Sequence, residues 1–350
     1  MSSQLTRLLT ITLFTFALVT FSVPAQATFP SPNGKIAFVH GPDIYTVNPN
    51  GTELRQLTAF TGDASSFFPN WSPDGHQIVF SEYDTPTAPG QIWIMNSDGT
   101  NQHRLFIDPK GYDNEDASFS PDGRHLVFQR CGLSCAVFRI NADGSGLTAI
   151  THFDPNPDVL DLFPAYSPDG KTIAFTGFAR GGYICAVYLV DANGANVRLL
   201  TPPELLAYEG DWTPAGTQLA IGAHVNLGIH GQNEELWIIN ANGSHPHKLT
   251  NNNLTVHGYF SAPHDYDPSY SPQGDQIAFQ RWNDQFTSVS VMIISANGTA
   301  PAVSIPLPLA SSATIFHKLA VAPVQGKATA TARARRLVKD SNWPRWGPAL

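Results

Sequence analysis

A chain of 350 residues with 28 Gly, 28 Pro and only 14% charged residues can bury a large core, and it has too many turn formers to be an assembly of surface helices. Twenty Lys and Arg against 28 Asp and Glu leave a net charge of −8. That balance argues against a nucleic-acid partner, because binding a phosphate backbone needs a basic surface.

Residues 1–27 carry one cation, Arg7, an apolar run from Leu8 to Phe21, and Ala25-Gln26-Ala27 at the end. This order predicts a secretory signal peptide. The run is shorter than the ~20 apolar residues that a bilayer-spanning helix needs, and no later segment is long and apolar enough, so no membrane span is expected after cleavage. Cleavage after Ala27 removes one Arg and no acid, leaving 19 basic and 28 acidic residues, a charge of −9.

From residue 31 the chain repeats itself. SPNGKIAF, IYTVN and RQLT are followed by a fuller unit: PNWSPDG at 69–75, HQIVFSE, QIWIMNSDGT and NQHRLF. FSPDG at 119–123, YSPDG at 166–170, WTPAG at 212–216 and YSPQG at 270–274 restart it, with turn prolines at 73, 121, 168, 214 and 272. Pro fixes φ and Gly supplies a positive φ, so each copy predicts a tight turn between two strands. The apolar run after it predicts a buried strand. IYTVNPNGT, VFRINADGS, VYLVDANGA, LWIINANGS and VMIISANGT then predict a third strand ending in an Asx-Gly hairpin, with a fourth strand behind it.

Four short antiparallel strands repeated about every 40–50 residues predict an all-β fold, a β-propeller. PRWGP at 344–348 matches PNWSP, so this C-terminal strand is expected to complete the first blade and close a ring of six. The propeller then spans 28–350. An Ala/Pro/Ser-rich insertion at about 301–332 is expected in the sixth blade ahead of ARRLV at 334–338, the alternative being a degenerate seventh blade in that stretch.

Cys131 and Cys135 in RCGLSC face each other across a five-residue hairpin loop, as a disulfide or as two thiols. The pair lacks the further ligands that a zinc site requires. Cys185 reads as a small buried hydrophobe.

The repeated turns belong to one face, and their Asp74, Asp122 and Asp169 read as turn formers. The unlike loops belong to the other, where binding is expected. Acids recur there. Aligned with Phe68 are Asp116, Phe163, Glu209, Asp267 and Trp343, with Glu115, Asp161 and Asp265 close by. Two readings remain open: a channel mouth that takes a divalent cation such as Ca²⁺ or a partner's basic group, or a solvated acidic rim with no cofactor. His257 and His264 are weak metal candidates. Trp71, Phe119, Tyr166, Trp212, Tyr270 and Trp346 recur once per unit and predict core packing, whereas Trp282 and Tyr259, which the repeat leaves unexplained, are ligand-contact candidates.

The pattern PxWSPDGxxIxF followed by IxxMNxDGT resembles the repeats of the TolB-like β-propeller family over essentially the whole mature chain. TolB itself carries an N-terminal α/β domain, which is not expected here because the repeats start at residue 31. The resemblance implies a secreted or periplasmic scaffold that holds a protein or peptide. Enzymatic activity is less favoured; the alternative is a metal-assisted polysaccharide lyase or glycoside-cleaving propeller. No G-x-S-x-G elbow occurs, which removes a serine-peptidase reading.

Overall fold

The computed structural model of the chain describes residues 34–154, 156, 159–179, 184–202, 204–225, 234–252, 263–283, 288–307 and 319–321. Its regular structure is strand throughout, and among these residues no helix is long and apolar enough to cross a membrane.

The strands group as the repeats do. The first unit holds β1 (Ile36–His40), β2 (Asp43–Val47) and β3 (Arg55–Gln56). The second holds β4 (Ser65–Trp71), β5 (Gln77–Tyr83), β6 (Gln91–Asn96) and β7 (His103–Arg104). The third holds β8 (Asp113–Phe119), β9 (His125–Cys131), β10 (Cys135–Asn141) and β11 (Thr148–Ala149). The fourth holds β12 (Val159–Tyr166), β13 (Thr172–Ala179), β14 (Ile184–Asp191) and β15 (Arg198–Leu199). The fifth holds β16 (Leu205–Trp212), β17 (Gln218–Val225), β18 (Glu235–Asn240) and β19 (His247–Lys248). The sixth holds β20 (His264–Tyr270), β21 (Gln276–Trp282), β22 (Val289–Ser295) and β23 (Val303–Ser304). A last strand, β24 (Leu319–Val321), pairs antiparallel with β1, placing Leu319 opposite Phe38 and Val321 opposite Ile36.

Within each unit neighbouring strands are antiparallel, and the third and fourth units are joined into one eight-stranded sheet by a single parallel bridge, Cys135 to Leu160. The arrangement is propeller-like. The core lies between the faces of successive sheets: Ile44 and Leu57 pack with Trp71, Ile78 and Phe80, and Ile92 and Val79 pack with Phe119 and Phe128. One cluster carries Leu236 and Ile238 of the fifth unit, Tyr270 and Phe279 of the sixth, and Ile36 and Phe38 of the first. The first strands touch in order, β4 to β8, β12, β16, β20 and β24, and β24 touches β4.

The repeated residues have specific physical jobs. In SPDG turns the serine hydroxyl donates to the Asp two residues on (Ser72 to Asp74, Ser120 to Asp122, Ser167 to Asp169, each 2.6 Å) and the same carboxylate accepts the amide of the residue after the glycine. These aspartates are turn formers. The threonine ending the fourth strand's segment is buried and braces the third strand: Thr58, Thr151, Thr201 and Thr250 accept the amides of Ile44, Val137, Val187 and Leu236 at 2.9, 2.9, 3.1 and 3.0 Å. The Asx-Gly turn packs on the preceding unit. A Cβ at Gly99, whose φ is +82°, would sit 2.8 Å from the Leu57 carbonyl oxygen, and one at Gly51 would sit 2.7 Å from that of Pro306, which joins the sixth unit to the first.

Two expectations are corrected. The fourth strand of the sixth unit is Val303–Ser304, where Ile293 pairs with Val303 in the register that the other units use; residues 334–338, expected to follow the insertion, lie outside the described residues. The strand beside β1 is Leu319–Val321, which lies inside the stretch read as an insertion. Residues 343–348 lie outside the described residues. Val303–Ser304 follows the Asn297-Gly298 turn as the other fourth strands follow theirs, whereas Leu319–Val321 has no such turn signal and is placed by its pairing with β1.

Replacing Thr250 by Val keeps the shape but leaves the buried Leu236 amide without its acceptor. Urea unfolding should show a loss of about 1–3 kcal/mol, with Thr250→Ser retaining most of the stability. Equal stability of Thr250→Val and wild type would contradict the bracing role.

Candidate functional site

The site predicted at the entry of the first strands is built on a shared irregularity. In β4, β8, β12, β16 and β20 the pairing register slips by a bulge, between Phe67 and Asn70, Glu115 and Ser118, Leu162 and Ala165, Tyr208 and Gly210, and Tyr266 and Ser269. Phe68, Asp116, Phe163 and Asp267 sit in these bulges with φ of 59°, 57°, 57° and 59°. A non-glycine residue with such a φ is strained, and a bulge turns its amide out of the ladder. The amides are used between units: Asp116 N donates to Ser81 Oγ and Phe163 N to Gln129 Oε1, each at 3.2 Å. Glu209 occupies the bulge of β16.

The neighbouring acids are held by their own chain. Glu115 is fully buried and accepts from Tyr83 Oη and, at 2.9 Å, from Gln129 Nε2. Asp265 is likewise buried and takes a two-pronged bond from Arg281, Nε at 2.7 Å and Nη2 at 2.8 Å, with Asn252 Nδ2 at 3.0 Å. Asp116 and Asp267 are buried as well. Asp161 is half-buried; burial pushes its carboxyl up to about 6, against a hydrogen bond from Thr151 and with the Asp154 charge adding to the rise. Of the acids read as a binding channel mouth or as a solvated rim, Glu115, Asp116, Asp265 and Asp267 are buried.

Trp282, expected to contact ligand, is 2% exposed and lies opposite His264 across the β20–β21 pair. His264 is also buried, its ring Nδ1 bonded to the Glu234 carboxylate and its face stacked on Tyr266, with centroids 6.3 Å apart. Burial pushes the Glu234 carboxyl up, but the His264 hydrogen bond and charge outweigh it and hold the group below its ordinary value. His257 and Tyr259 lie outside the described residues. Among the described residues no group of three or more His, Cys, Asp or Glu is arranged to hold a metal ion.

A second cluster, in the third unit, was not anticipated. Arg130 Nε and Nη2 donate to Asp108 at 2.7 and 2.8 Å, and the guanidinium lies between the rings of Tyr112 and Phe138, 4.6 and 4.9 Å from their centroids. Burial raises the Asp108 carboxyl, but bonds from Arg130, the Lys110 amide and Asn114 outweigh it and set it below the ordinary 3.8. Directly above, Cys131 and Cys135 are opposite one another across the β9–β10 pair and joined by a disulfide. The clamped loop presents Leu133, 90% exposed, near the crossover that carries Ile107, 77% exposed. Its only advance signal was an arginine beside a cysteine in an otherwise apolar strand.

No family model matches the chain. It is 28% identical over 140 residues to the Tol-Pal system protein TolB of Nitratidesulfovibrio vulgaris, covering 40% of this chain and 29% of that one. It is 34% identical over 103 residues to the TolB of Gluconobacter oxydans, covering 29% and 22%. The chain therefore spans less than a third of the length of these relatives. The crystal structure of TolB from Acinetobacter baumannii superposes with a TM-score of 0.65 at 19% identity, over 84% of this chain and 68% of that one. In its repeat and in its fold the chain is similar to the β-propellers of these TolB proteins.

Because Asp108 is buried against Arg130, Asp108→Asn strands a charge and should cost about 3–5 kcal/mol near neutral pH. A carboxyl lowered by folding stabilises above its ordinary value and loses that contribution as pH falls through the folded one. The gap between variant and wild type, followed by denaturant titration, should therefore narrow as pH drops below 3.8. A gap that widens in acid would contradict the assignment.

Proposed function

We propose that the six four-stranded units close into a six-bladed ring, and that this ring is a non-catalytic scaffold, exported to the periplasm or beyond, which holds a protein or peptide on its loop face. Support for closure comes from the β24–β1 pairing, the Pro306–Gly51 contact, and the core cluster shared by the last and first units.

The observation that carries the binding role is the difference between the two ends of the units. At one end the turns are uniform, with side chains spent on local hydrogen bonds. At the other the loops are unlike, and two of them, the disulfide-clamped loop with Leu133 and the crossover with Ile107, tied together by the buried Asp108–Arg130 pair, present large apolar side chains to solvent. A rigid base under an exposed apolar residue lowers the ordering cost of binding. The likeness to proteins named for the Tol-Pal system favours an envelope role. The buried acids Glu115, Asp116, Asp265 and Asp267 then serve the frame, and the loops carry the contacts.

Affinity capture from the envelope fraction tests this reading. Wild type and the turn-face control Lys171→Ser should hold the same partner, and Ile107→Ser with Leu133→Ser should weaken capture about tenfold or more, the loss expected for a buried apolar contact. A partner held equally by all three would move the contact off these loops. No partner with any bait would sink the scaffold reading.

A further inference from the structure

Each third strand ends in an Asx-Gly turn, and the six turns do not carry the same residue. Units two and three have Asp98 and Asp143; units one, four, five and six have Asn50, Asn193, Asn242 and Asn297, all exposed. An asparagine followed by glycine is open to attack by the glycine's backbone nitrogen, since no Cβ shields that amide. The nitrogen loses its proton and bonds to Cγ, the Cγ–Nδ2 bond breaks, and ammonia leaves with the proton. Water then opens the resulting succinimide at one carbonyl or the other, giving aspartate or isoaspartate.

The folded turn opposes this step by holding both reacting groups. The glycine amide is committed to the carbonyl three residues back: Gly51 to Asn48, Gly194 to Asp191 and Gly243 to Asn240 at 2.8 Å, and Gly298 to Ser295 at 2.9 Å. The asparagine Oδ1 is held by the residue two positions on. Asn50 accepts from Thr52 N at 3.1 Å and Thr52 Oγ1 at 2.6 Å. Asn242 accepts from Ser244 N at 3.0 Å and Oγ at 2.7 Å. Asn297 accepts from Thr299 N at 3.0 Å and Oγ1 at 2.7 Å, and from Ser295 Oγ at 2.6 Å. Asn193 differs: it accepts from Ala195 N at 3.0 Å, and Ala195 has no hydroxyl to add.

We propose that Asn193 is a site of spontaneous deamidation, the fastest of these four turns, because alanine at 195 removes the hydroxyl clamp that the other three retain. The aspartate product fits the fold without change. Asp98 and Asp143 already fill the same slot, accepting from Thr100 N and Oγ1 at 3.0 and 2.6 Å and from Ser145 N and Oγ at 2.9 and 2.6 Å. The isoaspartate product does not fit. It lengthens the backbone by one carbon beside Gly194, where even an added Cβ would come within 2.8 Å of the Ile150 carbonyl oxygen of the third unit. Isoaspartate at 193 therefore loosens the seam between the third and fourth units.

The test is incubation of the purified full chain at mildly alkaline pH with peptide mapping by mass spectrometry. In the folded protein Asn193 should convert about threefold to tenfold faster than Asn50, Asn242 and Asn297, the range one lost hydrogen bond allows. Ala195→Ser should bring it down to their rate, and in strong denaturant the four rates should converge. Asn193→Asp should unfold at the wild-type urea midpoint, while material enriched in isoaspartate should unfold earlier. Equal rates in the folded state, no effect of Ala195→Ser, or a ranking that survives denaturation would each overturn the proposal, and a destabilised Asn193→Asp would overturn the accommodation of the product.

Discussion

The bulge in β4, β8, β12, β16 and β20 is the constraint on which the assembly rests. A regular edge strand points only every second amide off its own sheet, and a residue at a φ near +57° turns a further one toward the preceding unit. Asp116 and Phe163 use that amide to reach Ser81 and Gln129. The strain of a left-handed phenylalanine, on the order of 1–3 kcal/mol, is offset by a register between neighbouring sheets that apolar packing alone would leave loose. Further bonds of the same sense follow it: Ser66, Asn114 and Asp265 donate their amides to the carbonyls of Pro42, Gly90 and Glu234 in the unit before.

Polar groups buried in this inner shell must then be satisfied by the chain itself, because a carboxylate withdrawn from water is costly unless paired. Arg281 on Asp265, Tyr83 and Gln129 on Glu115, and His264 on Glu234 meet that demand. Acidic residues near the axis of a propeller invite a ligand-binding interpretation. Here Glu115, Glu234 and Asp265 already have partners within the chain, and these pairs act as mortar between strands while variation is left to the loops.

Much of the frame was legible because its determinants are local. Pro and Gly in SPDG, Asn or Asp before Gly, and the short apolar runs between them set turns and strands regardless of what lies across the sheet. The acids at the bulge were legible from the repeat, but their burial was not. Phe68 and Phe163 share the slot with Asp116 and Asp267, a mixture that no common ligand would select and that a common backbone conformation tolerates. Val303–Ser304 was missed because it stands between Pro301 and Pro306 in a stretch read as an insertion, and Leu319–Val321 because its partner, β1, is distant in sequence. The Asp108–Arg130 pair was missed for the same reason: it spans 22 residues between an unrepeated crossover and a strand.

In the proposed ring, contacts between units and the pairing of the last strand with the first make the repeats one cooperative body. Hydrogen exchange measured on the full chain and on a chain ending at residue 318 tests it directly. The account predicts that truncation lowers the urea midpoint and strips protection from the β1 amides, Ile36–Val39, and from the sixth unit that packs on them. Unchanged protection in β1 together with an unchanged midpoint would contradict it, and would leave the pairing of Leu319–Val321 without a role in holding the ring.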